Sequence, residues 1–200
     1  MTNKIALCLS GKIGNTLGKS GNHNSEYRVL HKGFEHYERH VLNKNDVDVF
    51  IHCWDQELEK ETLELYKPKK CKFEPQVYFD IPDYVKGDAN RKNNHYSRWY
   101  SNKIANQLRE EYEEENGFKY DFVMTSRFDL AFEVDIDFER FDTEKFYAGK
   151  WSSVVDASGT DLFKGGRGPL YDLVQAKHPV LNSLRLHTKG YPDTNDGFLD

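Results

Sequence analysis

The chain has 200 residues, 38% of them hydrophobic and 14% aromatic, with a formal net charge of −5. That length suits one domain with its own core, and 12 Tyr and 13 Phe separate it from a disordered chain despite a mean hydropathy of −0.82. The acidic balance, with a pI near 5.9, excludes a general attraction to nucleic acid or to an anionic membrane, although local basic clusters can still hold phosphate.

Lys4-Ile5-Ala6-Leu7-Cys8-Leu9 reads as a first strand, ended by Ser10-Gly11. The apolar run after Lys4 is too short for a signal peptide or a membrane span, which places the protein in the cytoplasm without an integral membrane segment. Ser10 to Asn24 is a Gly-, Asn- and Ser-rich loop containing Gly14-Asn15-Thr16-Leu17-Gly18-Lys19-Ser20. A P-loop needs four residues between its glycines and a helix directly after them; here there are three residues, and Gly21-Asn22-His23-Asn24 follows, so a P-loop is set aside.

A helix is predicted from Ser25, as N-cap, to Leu42, with Tyr27, Leu30, Phe34, Tyr37 and Val41 as its buried stripe and His31, His36 and His40 facing solvent. Val47–Ile51 is a second strand, with His52-Cys53-Trp54-Asp55 at its carboxyl end. A helix over Gln56–Tyr66 stops before Pro68, and a third strand is predicted over Lys70–Val77. The three cysteines, Cys8, Cys53 and Cys71, are odd in number and lack metal-type spacing, so buried reduced thiols are expected.

Tyr78–Asn94 reads as a long loop carrying Pro82, Gly87, Asp88 and the cluster Arg91-Lys92-Asn93-Asn94-His95. A helix follows with Tyr100, Ile104, Leu108 and Tyr112 on its buried side and Glu110, Glu111, Glu113, Glu114 and Glu115 solvated, closed by Gly117. Tyr120–Met124 is a buried strand that runs into Ser126-Arg127-Phe128-Asp129. Glu133–Lys145 resists assignment. Beyond it, Phe146–Trp151 reads as a strand, Asp156–Asp161 as a turn, Leu162-Phe163 as a short extended piece, and Leu170–Lys177 and Val180–Thr188 as helices after the Gly165–Gly168 loop. The sequence ends abruptly at Asp196-Gly197-Phe198-Leu199-Asp200, which leaves room for an incomplete chain. Alternating strands and helices point to one α/β domain over residues 1–200, with a mostly parallel sheet.

The order strand–Ser10-Gly11, Asp48-Val49-Phe50-Ile51-His52-Cys53-Trp54, Tyr66-Lys67-Pro68-Lys69, then helix and Tyr120-Asp121-Phe122-Val123-Met124-Thr125-Ser126-Arg127-Phe128-Asp129 resembles GT-A-type glycosyltransferase-like proteins of bacterial surface-polysaccharide clusters and viruses. The resemblance runs to about Phe163. It implies a three-layer α/β/α, Rossmann-like domain that moves a sugar from a nucleotide-sugar donor to a glycan or lipid-linked saccharide acceptor, and it implies no nucleic-acid partner. The family carries an Asp-x-Asp motif that holds a divalent metal against the nucleotide diphosphate, whereas the matching positions here are Arg127-Phe128-Asp129. On that resemblance Asp129 is the candidate ligand for Mn²⁺ or Mg²⁺; alternatively Arg127 meets the diphosphate directly as a bidentate donor.

The resemblance also marks Ser10 and Gly11 as the first-strand turn that approaches the nucleotide, against a plain tight turn. Trp54, beside His52 and Asp55, is either a stacking surface for a base or sugar or simple packing. Arg91, Lys92, Arg98 and Lys103 are candidate phosphate contacts or a solvated basic face. A base for the acceptor hydroxyl is sought at Asp161, then at Asp196. Two other function classes stay open: a noncatalytic nucleotide- or glycan-binding domain of the same fold, and a phosphate-handling kinase or sulfotransferase using the Ser10–Gly21 loop.

Overall fold

The computed structural model of the chain describes residues 2–14, 24–85, 87–132, 134–145 and 147. The elements predicted beyond Tyr147, the Gly165–Gly168 loop, the candidate bases Asp161 and Asp196 and most of the P-loop-like stretch lie outside the described residues.

Four parallel strands form one sheet in the order β3-β2-β1-β4, where β1 is Lys4–Gly11, β2 Asp46–Cys53, β3 Lys70–Phe73 and β4 Phe122–Ser126. Central parallel strands are covered on both faces, which is why β1 reads as an unbroken apolar run rather than an alternating one. Ile5, Leu7 and Leu9 of β1 point into one core with Leu30, Tyr37 and Tyr66. Ala6 and Cys8 point into a second core with Phe50, Ala105 and Val123. The helices α1 (Tyr27–His40) and α2 (Glu59–Tyr66) lie on the first face and α3 (Ala89–Asn116) on the second. Each Leu, Ile or Phe side chain fully buried in these cores contributes about 1.5–3 kcal/mol. Burial also pushes the Cys8 thiol up to about 12, in keeping with a reduced core cysteine.

Several sequence expectations are corrected. In α1, Leu30, Tyr37 and Val41 are buried, but Tyr27 opens the helix 53% exposed, its ring 4.0 Å from that of His31. The residue before the helix, Glu26, is its N-cap and gives no side-chain cap, because the Ser25 hydroxyl is committed elsewhere. The α1 histidines are not solvent-facing bystanders. His31 bonds Glu61 of α2 at 2.7 Å, His36 Nδ1 meets the Phe132 backbone, and buried His40 bonds Asp135 at 2.8 Å. They fasten the helix to its neighbours.

β3 ends at Phe73 instead of Val77, since the Glu74 N–H makes a last bond to the Cys53 carbonyl and Pro75 has no donor to continue. α3 begins at Ala89, inside the predicted loop, because the Asp88 side chain caps it by accepting from the Arg91 N–H at 3.0 Å. Its sheet-facing stripe is Asn93, Ser97, Ser101, Ala105, Arg109 and Glu113, one position along from the bulkier Tyr100, Ile104, Leu108 and Tyr112, which flank it half-buried. Small residues in that row let the helix sit close over Ala6 and Cys8. Glu113 is therefore buried, not solvated, and accepts from Arg109, Lys119 and the Tyr120 N–H. Gly117 closes α3 with φ 68, as its sequence position predicts.

β4 runs two residues later than predicted, from Phe122 into Ser126. The unassigned stretch after Phe132 lays Ile136 and Phe138 into the first core beside Phe132 itself, with a 3-10 turn at Phe138–Arg140. Among the described residues, no helix is long and apolar enough to cross a membrane.

Candidate functional site

From β1 the chain moves outward to β2 and β3, then returns to place β4 on the other side of β1. The chain order therefore reverses between the neighbours β1 and β4, which makes their carboxyl ends a topological switch point, the place where open α/β sheets take their ligands, and the ground between them the candidate crevice. Leu9 of β1 pairs with Ser126 of β4, so both segments leave the sheet at nearly the same level.

The β1 side of the crevice is a turn held by one buried carboxylate. Gly11 and Gly14 have φ of 105° and 97°, values that side-chain-bearing residues rarely adopt. Trp54 N–H donates to the Gly11 carbonyl at 3.2 Å. Asp55, 5% exposed, accepts at one oxygen from the Ile13 N–H and the Ser25 hydroxyl, both at 2.6 Å. Ser25 in turn accepts from the Gly14 N–H at 3.0 Å. Burial pushes the Asp55 carboxyl above its ordinary value, while the Ser25 and Ile13 bonds pull the other way.

The β4 side is built by Phe128. Its ring is fully buried against Tyr66 at the bend that follows β4, while Arg127 and Asp129 on either side of it keep partly exposed side chains. The two pair. Arg127 Nε donates to Asp129 Oδ1 at 2.7 Å and Nη2 donates to Oδ2, a bidentate fork with side chains 25% and 28% exposed. A hydroxyl relay holds the backbone behind them: Ser126 Oγ donates to the Tyr37 hydroxyl, and Tyr37 donates to the Arg127 carbonyl. Burial pushes the Tyr37 phenol up, so it stays a donor. The two sides meet where a β-carbon at Gly14 would lie 3.7 Å from Asp129 Oδ2.

The site residues expected from sequence divide accordingly. Gly11, Arg127 and Asp129 border the crevice, and Ser10 is buried at the end of β1 in register with His52. His52 is 0% exposed, with Nδ1 2.6 Å from Ser101 Oγ and Nε2 2.9 Å from Glu74 Oε1. The carboxylate partner places a proton on Nε2, Ser101 Oγ also donates to the His52 carbonyl at 3.4 Å, and burial holds the ring's proton affinity below the ordinary histidine value. Trp54 is 6% exposed and stacked on Tyr100 with centroids 5.6 Å apart. Both rings are buried and brace the β2 end. Arg98 and Lys103 lie on α3, across the sheet from α1; Lys103 is exposed and Arg98 half-buried.

Asp129, the expected metal contact, has both carboxylate oxygens on the Arg127 guanidinium, and among the described residues no three His, Cys, Asp or Glu side chains gather into a set that could hold a metal ion. Sequence reasoning gave Ser25 and Tyr37 helix roles only, as N-cap and buried-stripe residue, and gave Asp55 no role of its own. Asp55 alone carried a signal, as the one carboxylate directly after the Trp54 strand end. Comparison of the chain with protein-family models, with curated proteins and with solved structures finds no match in any of the three.

Proposed function

We propose that the chain is a nucleotide-sugar-dependent glycosyltransferase with a Rossmann-like, three-layer GT-A domain, acting on a glycan or lipid-linked saccharide. The observation that carries this reading is the bidentate Arg127–Asp129 pair at the carboxyl end of β4, facing the Gly14 turn across the switch-point crevice. A guanidinium has five N–H donors and Asp129 takes two. The remaining donors suit the oxygens of a nucleotide diphosphate, and a fixed cation there stabilises charge that builds on the leaving group as the sugar–phosphate bond breaks. Asp129 orients the fork, and the Asp55-anchored turn supplies close backbone approach at Gly11. No step in this reading runs through a metal.

Calorimetric titration with a panel of UDP- and GDP-sugars, with and without Mn²⁺, tests it. One donor of the panel binds without added metal, is slowly hydrolysed, and loses at least tenfold in affinity in Arg127→Ala. No binding by any donor overturns the proposal. A second reading, a noncatalytic nucleotide- or glycan-binding domain of the same fold, is favoured by the engagement of both Asp129 oxygens. Donor binding with no hydrolysis or transfer selects it.

A further inference from the structure

α3 carries its charges in two blocks. From Ala89 to Arg109 there is no acidic residue, while Arg91, Lys92, Arg98 and Lys103 fall in that stretch; Glu110, Glu111 and Glu113–Glu115 then crowd the last turns. This is the reverse of what the helix dipole favours, which is acid in the first turn and base in the last. Helix stability does not account for it.

Within the basic block, Lys92, Tyr96, Trp99 and Lys103 recur at i, i+4, i+7 and i+11 and share one helix face, opposite the sheet-facing Ser97 and Ser101. Tyr96 is 38% and Trp99 39% exposed, and Lys103 is exposed beside them. The stripe spans about 16 Å at 1.5 Å per residue. It is rigidly backed. Phe79 lies 5.8 Å from Tyr96 and 5.7 Å from Tyr100, continuing the stack from Trp54, and the Phe79 N–H donates to Asn93 at 3.0 Å. Ser97 Oγ donates to the Val77 carbonyl, and Lys92 to the Val85 carbonyl, so the 77–85 segment is clamped along the helix. Tyr78, beside Phe79, adds a ring that is 79% exposed.

We infer that this face of α3 binds an anionic saccharide, a chain bearing carboxylate or phosphate groups. Exposed aromatic faces fixed by an inner layer offer flat apolar surface to the C–H faces of sugar rings, and lysines one turn away on each side complement acidic substituents. A protein partner is less well matched, because the stripe contains no aliphatic side chain. The choice of a saccharide deepens the glycosyltransferase reading and rests on it, but binding here requires no turnover.

The test titrates polygalacturonate and hyaluronan oligosaccharides, a neutral dextran oligosaccharide and a single-stranded oligothymidylate into the whole chain and into Trp99→Ala, Lys103→Gln and Arg127→Ala, with circular dichroism to verify folding. At least one acidic oligosaccharide binds saturably, tenfold or more tighter than dextran. Trp99→Ala weakens it at least tenfold, and Lys103→Gln weakens it about threefold with a flatter salt dependence. Binding of neither acidic oligosaccharide, equal binding of dextran, unchanged affinity in Trp99→Ala, or tighter binding of oligothymidylate overturns the inference. Arg127→Ala keeps oligosaccharide binding while losing nucleotide-sugar binding. Loss of nucleotide-sugar binding alone, with acidic oligosaccharide still held, therefore counts against the donor site and not against this face.

Discussion

Gly33 of α1 lies so close under Phe128 that a β-carbon on it would stand 2.0 Å from the Phe128 carbonyl oxygen. Nothing but hydrogen fits there, and the obstructing atom is backbone, so the helix and the post-β4 segment would have to part. Phe128 is the residue between Arg127 and Asp129. Gly33→Ala is expected to lower stability by about 1–3 kcal/mol or more, the usual cost of overpacking, even though alanine favours helix. Urea unfolding reads the loss, and nucleotide-sugar affinity falls with it, whereas an exposed Lys32→Ala control leaves both unchanged.

Arg127 and Asp129 separate charge from geometry. Arg127→Lys keeps the charge but cannot form the two-pronged contact, so donor affinity is expected to fall nearly as far as in Arg127→Ala. Asp129→Asn retains an acceptor for the guanidinium and weakens binding less than Asp129→Ala. Because both side chains are about a quarter exposed, global stability changes by no more than about 1 kcal/mol in any of these variants. Calorimetry and thermal melts distinguish the two effects.

The His52 ring gives the protein a pH signature. Burial, the leading cause, holds its proton affinity below the ordinary histidine value, and Lys72 adds to that, while Glu74 opposes it. A depressed folded value means that the unfolded chain binds the proton first as pH falls. Stability is therefore fully present above about pH 6.5 and declines as pH drops through the folded value. Glu74 acts in a lower window. Burial pushes its carboxyl up, yet Lys72 and His52 outweigh that and hold it below the usual range, so its contribution fades only as pH falls below about 4.5. Urea midpoints at pH 7.5, 6.5 and 5.5 should fall in the parent chain and flatten in His52→Gln.

Glu113 and Arg109 test the buried end of α3. Glu113→Ala leaves the Arg109 guanidinium, 5% exposed, with Glu110 as its one remaining carboxylate among the described residues and the Tyr120 N–H without its acceptor, and should cost about 1–3 kcal/mol. Arg109→Met combined with Glu113→Gln removes the charge while leaving an acceptor for the Tyr120 N–H, and should recover most of that loss in urea unfolding.

The strands were legible because central parallel strands write themselves as apolar runs, and Gly117 announced the end of α3. What failed was the reading of partners. Glu113 looks like one more acid among several, and only the fold reveals that Arg109 and the Tyr120 N–H wait beneath it. Tyr37 and His40 sit three residues apart on α1, but the groups that they bond, Ser126, the Arg127 carbonyl and Asp135, come from about 90 residues later in the chain. Arg127 and Asp129 were visible as a motif, while their mutual pairing was not. The start of α3 was the avoidable error, since Asp88 before Arg91 is a capping signal.

β1 has a consequence for how the molecule is made. Ile5 pairs with Val47 on one side and with Phe122 on the other, so the central strand is synthesised first and receives its second neighbour only after all of α3 has emerged. Until then one edge of the most apolar strand stands open as a template for wrong pairings, and closing so long a loop is slow. Among the described strands, β4 is thus the last to join. A nascent chain halted before Tyr120 would hold three of those four strands and neither Arg127 nor Asp129.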